Sequence, residues 1–286
     1  MRCNQMLSGL RTVFFQNTLR WPPLEGYSVS KDAIRRLYNK MFEPEGYRYE
    51  NLDLQSDVPS LSSRREGGGL SVCRFGTSSL TIEEKKPTLT VDGYIEAVTT
   101  VLSALSEEEV PPIFLQECRM QCLAQPSNAQ SPLVLLASRV ARVYDHIEPF
   151  GRPPAFFGVR FRFPPVILLD REEASHNTGE EPSDAQERSL EAPSSIEPAH
   201  GDASEGRRVE KRGFVTVRFE THAEDTSQLW MEVTAAYLET DPVLSLRDTE
   251  RIANNIRETH TFLAQRCKQF LDQFDTGSDS DEARQE

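Results

Sequence analysis

The chain has 286 residues, of which 37% are hydrophobic, and a formal net charge of −13. That length allows one large domain or two modest ones, with part of the chain outside any core. No run approaches the roughly 18 apolar residues of a membrane span, and five scattered cysteines are not a disulfide framework. No membrane association and a reducing, cytoplasmic setting are therefore expected.

The charge is unevenly placed. Residues 170–212 hold twelve acidic and six basic residues, and 275–286 hold five and one. The remainder is nearly neutral, so the whole-chain value does not exclude an anionic partner.

Residues 1–10 read as a tail, with too short and broken an apolar run for a secretory signal. RTVFFQNTLRW (11–21) reads as a strand with Val13, Phe15, Leu19 and Trp21 on one face, interrupted by Asn17. SKDAIRRLYNKMF reads as a helix capped by Ser30, with Ile34, Leu37, Tyr38 and Met41 at helical spacing. YRYENLDLQ (47–55), LSVCRFG (70–76) and SSLTIEEK (78–85) read as strands, and VDGYIEAVTTVLSAL as a helix capped by Thr90. REGGGLS (65–71) lacks the Gly-Lys-Ser/Thr ending of a phosphate loop, so Gly67–Gly69 read as a hairpin turn.

IFLQECRMQCL (113–123) is a further strand. SPLVLLASRVARVYDHI is a helix with Ser131 as cap and Pro132 at its first position, where a missing N–H costs nothing. FFGVRFRF and PPVILL form an extended region broken at Pro164–Pro165. Residues 170–212 lack aromatics and are rich in Glu, Ser, Ala and Pro, the composition of a disordered acidic insertion. GFVTVRFET and LWMEVTAAYL (229–238) are strands, and LRDTERIANNIRETHTFLAQRCKQFLDQF is a long helix. Residues 275–286 read as a disordered acidic tail, in which Ser278 and Ser280 sit among acids.

Strand–helix–three strands–helix thus occurs twice, over about 11–108 and 113–274, inside a single domain 11–274 interrupted by the insertion. Sequential strands with short turns favour antiparallel pairing, and the amphipathic helices must cover a face. The expected class is α+β: a mainly antiparallel curved sheet covered by helices, with an internal duplication of element order.

Nothing points to a reaction centre. Cys118 and Cys122, four apart on a strand, lie about 13 Å from one another, too far to hold one metal ion together. The five histidines do not cluster, and no Gly-x-Ser-x-Gly or His-Glu-x-x-His pattern occurs. No cofactor and no metal are expected, and the chain leans away from catalysis.

The arginines remain. Arg160 and Arg162 point opposite to Phe157, Val159, Phe161 and Phe163, and Arg218 with Glu220 points opposite to Val217 and Phe219. Glu117 and Arg119 share a face of 113–123, as do Trp230, Glu232 and Thr234 of 229–238. If these strands are neighbours, Arg119, Arg160, Arg162, Arg218 and Glu232 lie on one sheet face. That face is either a binding surface or a solvated surface of cross-strand ion pairs, each worth about 0.2–1 kcal/mol.

The segments IFLQECRMQCLAQPSNAQSPLVLL, FGVRFRF, LWMEVTAAYLE and ETHTFLAQRC resemble a sporadically distributed family of uncharacterised bacterial proteins. Gln116, Gly158–Phe161 and His260 with Leu263 match its degenerate motifs over about half the chain; Cys267 replaces a Phe, and an Asn after the Arg-aromatic pair is absent. The resemblance implies no activity, cofactor or catalytic residue. The element order also resembles tandem folds such as that of the TATA-binding protein, at the level of fold alone.

The expected function is a non-catalytic binding or accessory module holding a protein partner, with a homodimer as one assembly. The alternative is an enzyme or small-ligand carrier with a pocket between sheet and last helix, using Phe161, Phe163, Phe219, Trp230 and Phe262. Single-stranded nucleic acid ranks third, because acids accompany the arginines.

Overall fold

The computed structural model describes residues 7–25, 27–41, 49–106, 110–126, 131–150, 152, 154–164, 167–168, 209–210, 212–238 and 244–274. Nine strands form one antiparallel sheet: β1 (Leu7–Arg20), β2 (Asn51–Asp53), β3 (Ser60–Arg64), β4 (Leu70–Gly76), β5 (Ser79–Lys85), β6 (Leu115–Pro126), β7 (Gly158–Phe163), β10 (Arg212–Thr221) and β11 (Leu229–Leu238). A separate pair joins β8 (Ile167–Leu168) to β9 (Val209–Glu210). The nine run in the order β2-β3-β4-β5-β1-β6-β11-β10-β7. Two compact units result, one of residues 1–165 with 212–286 and one of residues 166–211.

The order explains the repeated pattern of the sequence. β1 and β6, the first strand of each half, pair with each other at the centre. Each also pairs with the last strand of its own half, β1 with β5 and β6 with β11. The chain therefore builds outward in mirror sequence from the β1–β6 seam. The first half has four strands after its helix where three were expected. SLSSR, now β3, carries a single large apolar residue, Leu61, and so shows no alternation to read.

Other boundaries differ. β1 starts at Leu7, inside the expected tail. The strand expected over 47–55 contracts to Asn51–Asp53. The expected insertion 170–212 lies largely outside the described residues, but its end contributes Val209–Glu210 to β9 and Arg212 to β10. The acidic tail 275–286 also lies outside them.

Helix α1 (Lys31–Lys40) begins where the Ser30 side chain accepts the Ala33 N–H at 3.0 Å, and α2 (Val91–Leu105) where Thr90 accepts Gly93 N–H at 3.2 Å. Both caps satisfy a donor the helix itself leaves unpaired. α3 (Pro132–Val134) continues as a π turn, Leu135–Val140. It stops seven residues before the expected end, and Arg142 then adopts φ +53°. The last helix is α4 (Thr249–Thr261), a π turn Phe262–Cys267, and α5 (Lys268–Asp272). Its buried residues Thr259, Leu263, Cys267 and Leu271 recur every four positions. In a pure α-helix of 3.6 residues per turn that spacing drifts around the axis; the wider π turn takes up the drift.

One hydrophobic core draws its strand side chains from a single face of the sheet, including Phe15, Leu61, Cys73, Ile82, Cys118, Met120, Val217, Phe219 and Met231. Helix residues such as Ile34, Tyr94, Val98, Ile256 and Leu263 fill the other side of that core. Phe15 of β1 stacks on Tyr94 of α2 with ring centroids 4.8 Å apart. Among the described residues no helix is long and apolar enough to cross a membrane.

Asn17, the apparent interruption of β1, points into this core and is fully buried. Its Oδ1 accepts Gln116 Nε2 at 2.9 Å, and Gln116 Oε1 accepts Asn255 Nδ2 of α4 at 2.8 Å. Gln116 Nε2 also donates to the Ile252 carbonyl at 3.1 Å. The three amides tie the central strands to the last helix. These bonds offset part of the desolvation cost of the buried amides, while Asn17 Nδ2 has no hydrogen-bond partner among the described residues.

Candidate functional site: the open face of the sheet

The face opposite the core holds the residues singled out from the sequence. Registers place them in two adjacent rows that cross the sheet. The first runs Arg160, Arg218, Glu232, Gln121, Phe14 and Lys85 from β7 to β5. The second runs Arg162, Thr216, Thr234, Arg119, Gln16 and Glu83. Arg119, Arg160, Arg162, Arg218 and Glu232 are thus brought together. Glu117 and Glu220, which share their face, lie in flanking rows.

Glu232 is the hub. Only 5% exposed, it accepts Arg119 Nε at 2.5 Å and Gln121 Nε2 at 2.7 Å through Oε2, while its Oε1 lies 3.6 Å from Arg218 Nη1. Arg218 also donates to Glu220 Oε1 at 2.5 Å. Gly158 makes that contact feasible: it stands across from Glu220, and a Cβ there would lie 2.6 Å from Glu220 Cγ. Arg74 and Glu83 form a further pair at 2.6 Å.

Three of these guanidinium groups also lie over an aromatic ring. Arg119 lies 5.8 Å from the Phe14 centroid, Arg218 5.3 Å from Trp230, and Arg162 4.2 Å from Phe214. Such contacts fix a planar cation without neutralising it. Arg160 and Arg162 are exposed, and among the described residues neither has a carboxylate partner. The rows therefore grade from paired arginines at the centre to free ones at the β7 edge. Toward β5 a shallow depression of about 500 Å³ is lined by Phe14, Gln16, Arg74, Glu83, Lys85 and Arg119, among others.

The sequence did not reveal the basic contributions of Arg74 and Lys85. Their strands were legible, but β4 and β5 reach the arginine face only through the β1–β6 pairing, which no local pattern encodes.

The space between sheet and last helix differs from expectation. Trp230 belongs to the open face, because it alternates with the core residues Met231 and Leu229. The phenylalanines there pack on each other: Phe219 stacks on Phe270 at 5.7 Å, and Phe161 meets Phe270 at 5.4 Å and Phe219 at 6.3 Å. Phe163 meets Phe262 at 5.8 Å. Cys118 and Cys122 share the core face, and burial pushes their thiols up to about 12 and about 11. Such thiols stay protonated and unreactive near neutral pH. Among the described residues no group of three or more His, Cys, Asp or Glu is placed to hold a metal ion.

No family model and no curated protein matches the chain. Among solved structures the chain is similar to the rolling circle replication initiator protein from Geobacillus stearothermophilus, at 8% identity and a TM-score of 0.25, over 86% of this chain and 80% of that one. A similarity of that size carries no argument about this chain.

Proposed function

We propose that the chain is a non-catalytic, cytoplasmic binding module that holds a protein partner on its open sheet face. The observation that carries this reading is the grading of the arginine rows. Charges paired at Glu232 form a fixed centre, and at one side Arg160 and Arg162 are exposed with no carboxylate partner among the described residues. An exposed ion pair is worth only about 0–1 kcal/mol, so leaving Arg160 and Arg162 without a carboxylate costs the fold little and keeps their charge available to a partner. The acids within and beside the rows favour a protein over single-stranded nucleic acid, whose phosphates would meet Glu83, Glu220 and Glu232.

Native pull-down from cells with the wild-type chain and with Arg160→Glu/Arg218→Glu tests it. The reading expects a partner lost with the double variant at unchanged fold. Equal recovery by both forms refutes it.

A further inference from the structure

Among the described residues β7 ends the nine-stranded sheet and pairs only with β10. The backbone hydrogen bonds of that pairing fix what its other edge offers. Thr221 N donates to Phe157 O at 3.1 Å, and Thr221 stands one position beyond the Glu220–Gly158 pair. In an antiparallel ladder, hydrogen-bonded pairs alternate with non-bonded ones. The bonded positions of β7 are therefore Val159, Phe161 and Phe163. The N–H and C=O groups of Gly158, Arg160 and Arg162 point away from β10, toward the free edge.

Arg160 and Arg162 thus present outward backbone groups and, on the open face, guanidinium side chains with no carboxylate partner among the described residues. A strand adding to this edge would set its own residues directly opposite Arg160 and Arg162. On the core side its alternate residues would meet Phe163, which is 42% exposed at the end of the phenylalanine cluster. Edge strands commonly carry charge to discourage unwanted pairing. Here the charges select. Two copies joined antiparallel through β7 would bring arginines to face arginines, which is unfavourable.

We propose that β7 accepts an extended acidic segment of another protein as a tenth strand, with carboxylates at alternate positions opposite Arg160 and Arg162 and apolar residues between them. This mode combines main-chain hydrogen bonds for affinity with alternating side chains for specificity. It rests on the reading of the open face as a protein-binding surface and names the chemistry of the partner.

The probe is an end-blocked, fluorescein-labelled peptide, Thr-Val-Glu-Val-Glu-Val-Thr, titrated with the full chain and read by fluorescence anisotropy. A second peptide replaces both Glu by Lys. Arg160→Pro removes one outward N–H and one guanidinium without touching the β10 ladder, because that N–H makes no bond to β10. Arg160→Ala/Arg162→Ala removes the charges and keeps the backbone donors, which covers the case in which the proline variant misfolds. The Glu peptide binds, the Lys peptide does not, and either variant weakens binding by about tenfold or more.

Absence of Glu-peptide binding to the wild-type chain overturns the proposal, as does equal binding by the folded variants. A dimer that Arg160→Pro converts to monomer, with no peptide bound, also overturns it by giving the edge to a second copy. Native pull-down with Arg119→Glu/Arg218→Glu separates this failure from failure of the broader reading. If that variant loses a partner while the peptide never binds, the face binds protein and the edge does not add a strand.

Discussion

Arg119 on β6 and Glu232 on β11 meet at 2.5 Å although 113 residues separate them, and Glu232 is the more deeply buried of the two. The carboxylate sits between two strands that each supply an arginine, Arg119 on one side and Arg218 on the other. Its position makes it the residue that decides how much positive charge the face offers.

Glu232→Gln therefore separates binding from stability. Losing the charge leaves Arg119 and Arg218 less neutralised, yet the amide oxygen still accepts. We expect a stability loss of only about 1–2 kcal/mol in urea unfolding, since both arginines are partly solvated. Affinity for the acidic probe peptide should rise, most at low salt. Unchanged affinity at every ionic strength would reduce Glu232 to a structural pairing residue.

Glu84 gives the fold a pH dependence. It is 1% exposed, and burial raises its carboxyl from an ordinary value of 4.5 to about 8. Ser71 Oγ donates to it at 2.8 Å and in turn accepts Arg65 Nε at 2.8 Å. Between about 4.5 and about 8 the folded state holds a proton that the unfolded state has lost. This group's contribution to stability is thus complete below 4.5 and declines as pH rises toward 8. Glu84→Gln should flatten thermal stability across that window and raise it at the alkaline end. A parallel decline in variant and wild type would assign the dependence elsewhere.

The amide network joining Asn17, Gln116 and Asn255 should be costly to break. Asn255→Ala strands Gln116 Oε1 in the core, and the expected loss is about 1–3 kcal/mol in denaturant unfolding. The conservative Asn255→Gln should not restore it, because the longer side chain enters a packed sheet–helix interface. Full stability in Asn255→Ala would show that the network contributes nothing.

Gly213 marks a close approach of β10 to β11. A Cβ there would run into the carbonyl oxygen of Ala236, which belongs to the backbone and cannot turn aside. Gly213→Ala should cost about 1–3 kcal/mol and loosen the β10–β11 ladder, visible as faster amide exchange in both strands.

The sequence exposed local periodicities, and the structure shows which of them sufficed. Face assignment followed from the period of two: Arg160, Arg162 and Arg218 alternate with Phe161, Val217 and Phe219, so the open face was readable strand by strand. Register was not, because it depends on the β1–β6 seam, whose partners lie about a hundred residues apart. The same distance hid the role of Asn17, whose partner Gln116 is 99 residues away. β3 escaped notice because serines fill its faces, including Ser63, which is 1% exposed. The π turns left no trace, since four-residue spacing on one face reads as ordinary helix.

Native pull-down with the wild-type chain and with Arg160→Glu/Arg218→Glu, at matched thermal stability, tests whether the open face holds a protein partner through its arginines. A partner should be recovered with the wild type and lost with the variant. A partner recovered equally by both would contradict it.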